Sequence, residues 1–227
     1  GLLILLREKS NARLGNAIEQ DGRLSEAAAR QTIDTLKRYK RLANEHDAVI
    51  RVAATAALRR VRNRAAFVDQ VYQACGLLLH IIDGYEEARL IRAGVLFGSP
   101  HLTSTNILCV DVGGGSTELS IGIGDDVRFV SSVAMGGLSI HRRYLGEDPV
   151  RSTSRHKAER AVFSQFQNVI QTASGQAYTR AIATGGTIQR LARLVLHMRG
   201  MRQDNVHGMD VSSSELTTCI RTIAMAK

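Results

Sequence analysis

The sequence predicts an α/β protein in two parts, and two observations carry that prediction. Apolar runs alternate with amphipathic helical segments as far as Pro100, the order of βαβ units on a largely parallel sheet. From Asn106 three apolar runs follow one another in hairpin succession before helices return. The change sets a boundary near residues 100–105, with domain I over 1–104 and domain II over 105–227. At 227 residues, 44% apolar and with two prolines, the chain can bury a core in each part and has no linker or disordered composition.

In chain order, 1–6 is an apolar run stopped by Arg7, Glu8 and Lys9. It is far too short for a bilayer, lacks the basic start of a signal peptide, and reads as a strand. Ser25 caps a helix to about His46, with Glu26 at its positive dipole end. Ala29, Ile33, Leu36 and Ala43 form its inner stripe, and Arg30, Lys37, Arg38 and Arg41 its solvated face. Residues 49–55 read as a strand. Asn63 then caps a second helix that turns Phe67, Val68 and Val71 inward and ends at Gly76. A buried strand over 77–82 precedes a helix over about 86–97, whose stripe is Ala88, Ile91 and Val95, with Glu86, Arg89 and Arg92 toward solvent. Strands over 107–112, 118–123 and 127–133 come next, the last after the turn Asp125-Asp126, and Gly136-Gly137 closes the set. A helix over about 154–173, a strand over 179–183, a helix over 188–197 and a last helix capped by Ser212 complete the chain.

The net charge of +9 with a pI near 10 favours polyanionic partners: nucleic acid, polyphosphate, nucleotides or an anionic membrane. Aromatics at 4% with no Trp offer no base-stacking surface, which argues against nucleic acid. Cys75, Cys109 and Cys219 are odd in number and lack metal-site spacing, as expected of a reduced, cytoplasmic chain without a zinc site.

Chemistry gathers in three segments. Asp111 ends an apolar strand and is followed by Gly113-Gly114-Gly115-Ser116-Thr117 and Glu118. Three glycines and two hydroxyls exceed what a tight hairpin turn needs, whereas a phosphate nest uses all of them. A buried Asp111 needs a cation or hydrogen-bond donors, and carboxylate oxygens beside phosphate suit Mg²⁺. The second segment, Thr184-Gly185-Gly186-Thr187, opens a helix and so favours an anion. In the third, Glu87 lies at the edge of its helix's apolar stripe and can serve as a base toward water; ordinary helix-start acids at Glu86 and Glu87 are the competing reading.

Taken together, Arg13-Leu14-Gly15, Asp21-Gly22-Arg23-Leu24-Ser25, Ala54-Thr55-Ala56-Ala57-Leu58-Arg59, Gly84 to Leu90, Asp111 to Glu118 and Ala183 to Ile188 occur in one order. In this the chain resembles the exopolyphosphatase / guanosine pentaphosphate phosphohydrolase (Ppx/GppA) family over nearly its whole length. The resemblance implies two ribonuclease-H-like domains around a cleft, as in the actin-like ATPase superfamily. It also implies Mg²⁺-dependent release of terminal orthophosphate from polyphosphate or from guanosine pentaphosphate. By matching position, Glu87 is the general base, and Asp111 and Glu118 hold the metal, Glu118 also orienting the water. Gly113, Gly114, Gly115, Ser116 and Thr117 cradle the terminal phosphate, Arg59 holds polyanion oxygens, and Gly185, Gly186 and Thr187 form a second phosphate-contacting loop. The family also suggests a cytoplasmic homodimer without membrane contact.

One departure accompanies the resemblance. The family's leading Asp-x-Gly-Ser-Asn-Ser-like loop has no counterpart here, and family chains run on past Lys227. The expectation is a first domain without its N-terminal strands, a second domain cut short, and weak turnover by this polypeptide. A catalytically silent binder of polyphosphate or guanosine penta/tetraphosphate is the alternative. A sugar or acetate kinase of the same superfamily is a further one, disfavoured by the Glu86-Glu87-Ala88-Arg89 segment.

Overall fold

In the computed structural model, residues 3–10, 14, 17–18, 21–146, 150–202 and 205–225 are described. Parts of the Arg13-Leu14-Gly15 motif and the end at Lys227 lie outside them. Two units result, 1–83 and 84–227. The helix after Asp83 groups with the second unit because its side chains pack on that unit's sheet, so this division falls earlier in the chain than residues 100–105.

The first unit contains α1 (Glu26–Asn44), β1 (Val52–Ala54), α2 (Ala56–Arg59), α3 (Arg64–Cys75) and β2 (Leu79–Ile81). The Ser25 hydroxyl accepts from the Ala28 amide at 3.3 Å, the expected cap. Gly76 ends α3 at φ +63°, the left-handed conformation a glycine adopts without a Cβ penalty. β1 and β2 are parallel, with Ala53 opposite His80. The core joins Leu24, Ala28, Leu58, Phe67 and Val71.

Two expectations fail in this unit. Residues 3–10 form no strand, and Leu3 to Leu6 are exposed; no strand among the described residues supplies a ladder for them. Asn63 does not cap α3 with its side chain. Its amide instead clamps Leu24, accepting from the backbone N–H at 2.8 Å and donating to the carbonyl at 3.2 Å. A bidentate tie to a buried backbone segment outweighs a cap that water can replace.

The second unit contains α4 (Gly84–Gly98), β3 (Asn106–Val112), β4 (Thr117–Ile123), β5 (Asp126–Val133), α5 (Gly137–Ile140), α6 (Ser152–Ser174), β6 (Arg180–Thr184), α7 (Gly186–Met198) and α8 (Ser213–Met225). The sheet order is β5-β4-β3-β6, with β3–β4 and β4–β5 antiparallel and β3–β6 parallel. The predicted hairpin succession is therefore present, and β6 joins it by a crossover through α6.

Strand alternation divides the sheet into two faces. Leu108, Val110, Leu119 and Val133 meet Ala161, Val162 and Phe166 of α6 on one face. Ile107, Cys109 and Ile182 meet Val95 and Leu96 of α4 on the other. A bulge separates the Ile121–Phe129 pair from the Gly122–Val127 pair, leaving Arg128 as the extra residue. Gly122 is required there, since a Cβ would lie 2.1 Å from the Asp126 carbonyl oxygen.

Of the expected stripe of α4, Ala88 is buried and Ile91 and Val95 are half-buried; the fully buried line is Ala88, Arg92 and Leu96, so Arg92 does not face solvent as expected. Arg92 is 2% exposed. Its Nε donates to the Gly124 carbonyl at 3.0 Å and its Nη1 to the Ile107 carbonyl at 3.3 Å, reaching from the helix to the sheet. A guanidinium on a long stem can be buried when carbonyls meet its donors; here they meet Nε and Nη1, while Nη2 has no hydrogen-bond partner among the described residues.

Candidate functional site

Register builds the site. Asp111 and Glu118 are directly opposed across β3 and β4, so their side chains leave the same face of the sheet. That is the face covered by α4, whose first turn carries Glu86 and Glu87. Glu118 is 1% exposed, while Asp111 and Glu87 are half-buried. Like charges directly opposed on a sheet repel unless a proton, a donor or a cation intervenes.

Donors are present on both sides. The Ser132 hydroxyl on β5 donates to Glu118 Oε1 at 2.8 Å, and the Thr184 hydroxyl on β6 donates to Asp111 Oδ1. Among the described residues no three His, Cys, Asp or Glu side chains cluster as a metal centre. Two opposed carboxylates nevertheless fit Mg²⁺, which takes one or two carboxylates together with substrate oxygens and water.

The glycine loop begins where β3 ends. Gly113 donates its N–H to the Ser116 carbonyl at 3.0 Å and accepts at its own carbonyl from the Gly137 N–H at 2.9 Å. The Ser139 N–H donates to the Gly114 carbonyl at 3.0 Å. Segment 136–139 therefore closes on the loop, and a Cβ on Gly136 would lie 2.4 Å from the Gly113 oxygen. None of Gly113, Gly114 and Gly115 adopts a positive φ, so these residues permit close packing and not an unusual turn. Ser116 and Thr117 are buried, and the Thr117 hydroxyl donates to the Met135 carbonyl at 2.8 Å.

The second glycine turn meets the first. Gly185 has φ +98° and precedes α7; a Cβ there would lie 2.6 Å from the Val112 carbonyl oxygen and 3.2 Å from Asp111 Oδ1. A Cβ on Gly137 would lie 3.0 Å from the Thr187 hydroxyl. The start of α7, with Gly186 and Thr187, thus lies beside the triglycine loop and Asp111. Its free N-terminal amides and dipole suit an anion.

Glu87, Asp111, Glu118, the Gly113–Thr117 loop and the Gly185–Thr187 turn accordingly all belong to the second unit, and the loop, Asp111, Glu118 and the turn are brought together. Arg59 belongs to the first unit, where its Nη1 donates to the Ile82 carbonyl at 3.0 Å. A cavity of about 590 Å³ lined by Ala27, Arg30, Gln31, Asp34, Thr35 and Arg38 contains none of these residues.

Sequence reasoning missed Ser132 and the roles of Gly136 and Thr184. Position in the turn named Thr184 without its bond to Asp111, and the one-residue bulge defeats counting forward from the Asp125-Asp126 turn to Ser132. Arg92 was missed for a different reason, its polarity. Beside it, burial pushes the Cys109 thiol up, an effect the guanidinium partly opposes.

Residues 1–227 match the family model described as the Ppx/GppA phosphatase family. A crystal structure of the Aquifex aeolicus Ppx/GppA family member is 26% identical with a TM-score of 0.77, covering 95% of this chain and 68% of that one. An exopolyphosphatase from Cytophaga hutchinsonii is 27% identical with a TM-score of 0.78, covering 88% of this chain and 64% of that one. A structure described as an exopolyphosphatase-like protein is 26% identical with a TM-score of 0.80, covering 93% and 66% respectively. The chain therefore spans about two thirds of the length of these solved structures. Among the described residues no helix is long and apolar enough to cross a membrane.

Proposed function

Because this chain belongs to the Ppx/GppA phosphatase family, we propose that it is part of a phosphohydrolase acting on terminal phosphoanhydrides, with inorganic polyphosphate or guanosine pentaphosphate as substrate. The observation that carries this reading is the opposed Asp111–Glu118 pair, with a glycine loop on one side and a helix-opening glycine turn on the other. Phosphoryl transfer needs positioning and charge neutralisation more than covalent chemistry, and this set supplies both.

Asp111 and Glu118 are the residues that would hold Mg²⁺. When bound, the ion neutralises phosphate oxygens. The backbone of Gly113, Gly114, Gly115 and Ser116 and the start of α7 at Gly185, Gly186 and Thr187 receive the terminal phosphate. Thr117 supports the loop from below through Met135. Arg59 contributes a guanidinium to polyanion oxygens. Glu87 accepts a proton from the attacking water; the new P–O bond forms as the bridging P–O bond breaks, and orthophosphate leaves. A cytoplasmic homodimer built from ribonuclease-H-like domains remains the arrangement expected for the family.

Phosphate release from long-chain polyphosphate and from guanosine pentaphosphate, with and without Mg²⁺, tests this reading in the full-length protein. The expected result is Mg²⁺-dependent release lost by about 10²-fold or more in Glu87→Ala. Full activity in that variant removes the base assignment. Tight polyphosphate binding without release identifies the silent binder instead.

A further inference from the structure

The opposed carboxylates form the middle of a longer row. The registers of three strand pairs set Thr184 opposite Asp111, Asp111 opposite Glu118, and Glu118 opposite Ser132. All four side chains leave the same face, and at about 4.8 Å between strands the row is about 14 Å across. The outer members are hydroxyls, and each donates to the carboxylate next to it. Each bond engages one carboxylate oxygen and fixes its rotamer, so the direction of the second oxygen is set before any ligand arrives.

Ser132 and Asp111 are also closely packed. A Cβ on Gly84, the first residue of α4, would lie 2.3 Å from Ser132 Cβ and 2.4 Å from its Oγ. The start of the helix carrying Glu87 is thus packed against the residue that bonds Glu118. At the other end, Gly185 directly follows Thr184 and comes so close to Asp111 Oδ1 that a Cβ there would lie 3.2 Å away. Preorganisation of this kind leaves little to reorder when a cation binds.

We propose that Ser132 and Thr184 are positioning residues that hold Glu118 and Asp111 in the geometry of a divalent-cation seat, with Gly84 packed against Ser132 and Gly185 against Asp111. This rests on the reading of Asp111 and Glu118 as metal-holding residues. It adds the hydroxyls as determinants of affinity that touch neither metal nor phosphate.

The experiment is Mn²⁺ binding to the full chain, followed by the electron paramagnetic resonance signal of the free ion and by calorimetry. The variants are Ser132→Ala, Thr184→Val, Thr184→Ser and Asp111→Asn, each with a thermal melt. Ser132→Ala and Thr184→Val are expected to weaken Mn²⁺ binding about 10-fold each, within the range of lost outer-shell partners. Thr184→Ser, which keeps the hydroxyl, is expected to bind like the unaltered chain. Unchanged binding in Ser132→Ala and Thr184→Val, while Asp111→Asn loses the ion, overturns the positioning role alone. So does a Thr184→Ser variant as weak as Thr184→Val, since the methyl and not the hydroxyl then matters. Binding that survives Asp111→Asn overturns the cation seat itself, and this proposal with it.

Discussion

Gly136→Ala is the sharpest single perturbation of the glycine loop. The added Cβ would lie 2.4 Å from the Gly113 oxygen, 2.7 Å from the Gly114 carbonyl carbon and 2.8 Å from the Ser116 nitrogen. Every one of these is backbone, so no side chain can swing aside. Restoring an ordinary contact of about 3.4 Å requires a displacement of about 1 Å. That displacement stretches the bonds from Gly137 to Gly113 and from Ser139 to Gly114, now 2.9 and 3.0 Å. Two hydrogen bonds at about 1 kcal/mol each, with overpacking of about 1–3 kcal/mol, amount to a destabilisation of about 3–5 kcal/mol. Loss of placement by about 1 Å in a phosphate-binding loop corresponds to about 10²-fold in turnover. Urea unfolding and phosphate release by the full-length protein measure the two effects. Gly94→Ala is the control, a mid-α4 glycine with open space at its Cβ, and helix propensity predicts a gain of about 1 kcal/mol there. A Gly136→Ala protein as stable and as active as the unaltered one refutes the close approach.

Other outcomes follow from the same structure. Arg92→Ala removes a buried stem and the donors to Ile107 and Gly124, and is expected to cost about 2–5 kcal/mol in urea unfolding. Arg92→Met keeps the stem and relieves a buried charge, so its cost should be under about 2 kcal/mol; equal losses in the two variants would assign the effect to the guanidinium's hydrogen bonds and not to the stem. Glu215, at the start of α8, is held from its ordinary 4.5 down to about 2 by hydrogen bonds from the Arg199 side chain first, then from Ser212. A depressed carboxylate stabilises the fold above its unfolded pKa, and that contribution is lost as pH falls from 4.5 toward about 2. Protection of the α8 amides against exchange, relative to the intrinsic rate, should fall across that window, and Arg199→Ala should reduce the pH dependence to the part that Ser212 supplies.

Legibility in the sequence tracked the range of the interaction. Ser25 as a cap and Gly76 as a helix stop depend on neighbours within one turn, and both were readable. The hairpin succession and the two glycine turns were readable from period and punctuation. Arg92 was not, because side-chain type predicts exposure only on average, and its carbonyl partners lie 15 and 32 residues away. Asn63 was misread because a tie to Leu24, 39 residues distant, replaced the local cap. The need for glycine at 136 arises from contact with a loop more than 20 residues earlier, which no local pattern encodes.

The bulge in the β4–β5 hairpin acts as a phase shifter for the sheet. On its turn side Ile123 lies opposite Asp126 and Gly122 opposite Val127, a pairing that, if continued, would bring Ser131 opposite Glu118. The extra residue, Arg128, advances β5 by one step, so Ser132 takes that place and Val133 turns instead toward the α6 core with Leu119. Pairing Arg128 in the ladder, opposite Ile121, would exchange the two sets, moving Val133 to the polar row's face and a serine into the core. The hydroxyl beside Glu118 and the valine packed beneath the loop are therefore inherited together, from a single irregularity at the opposite end of the strand.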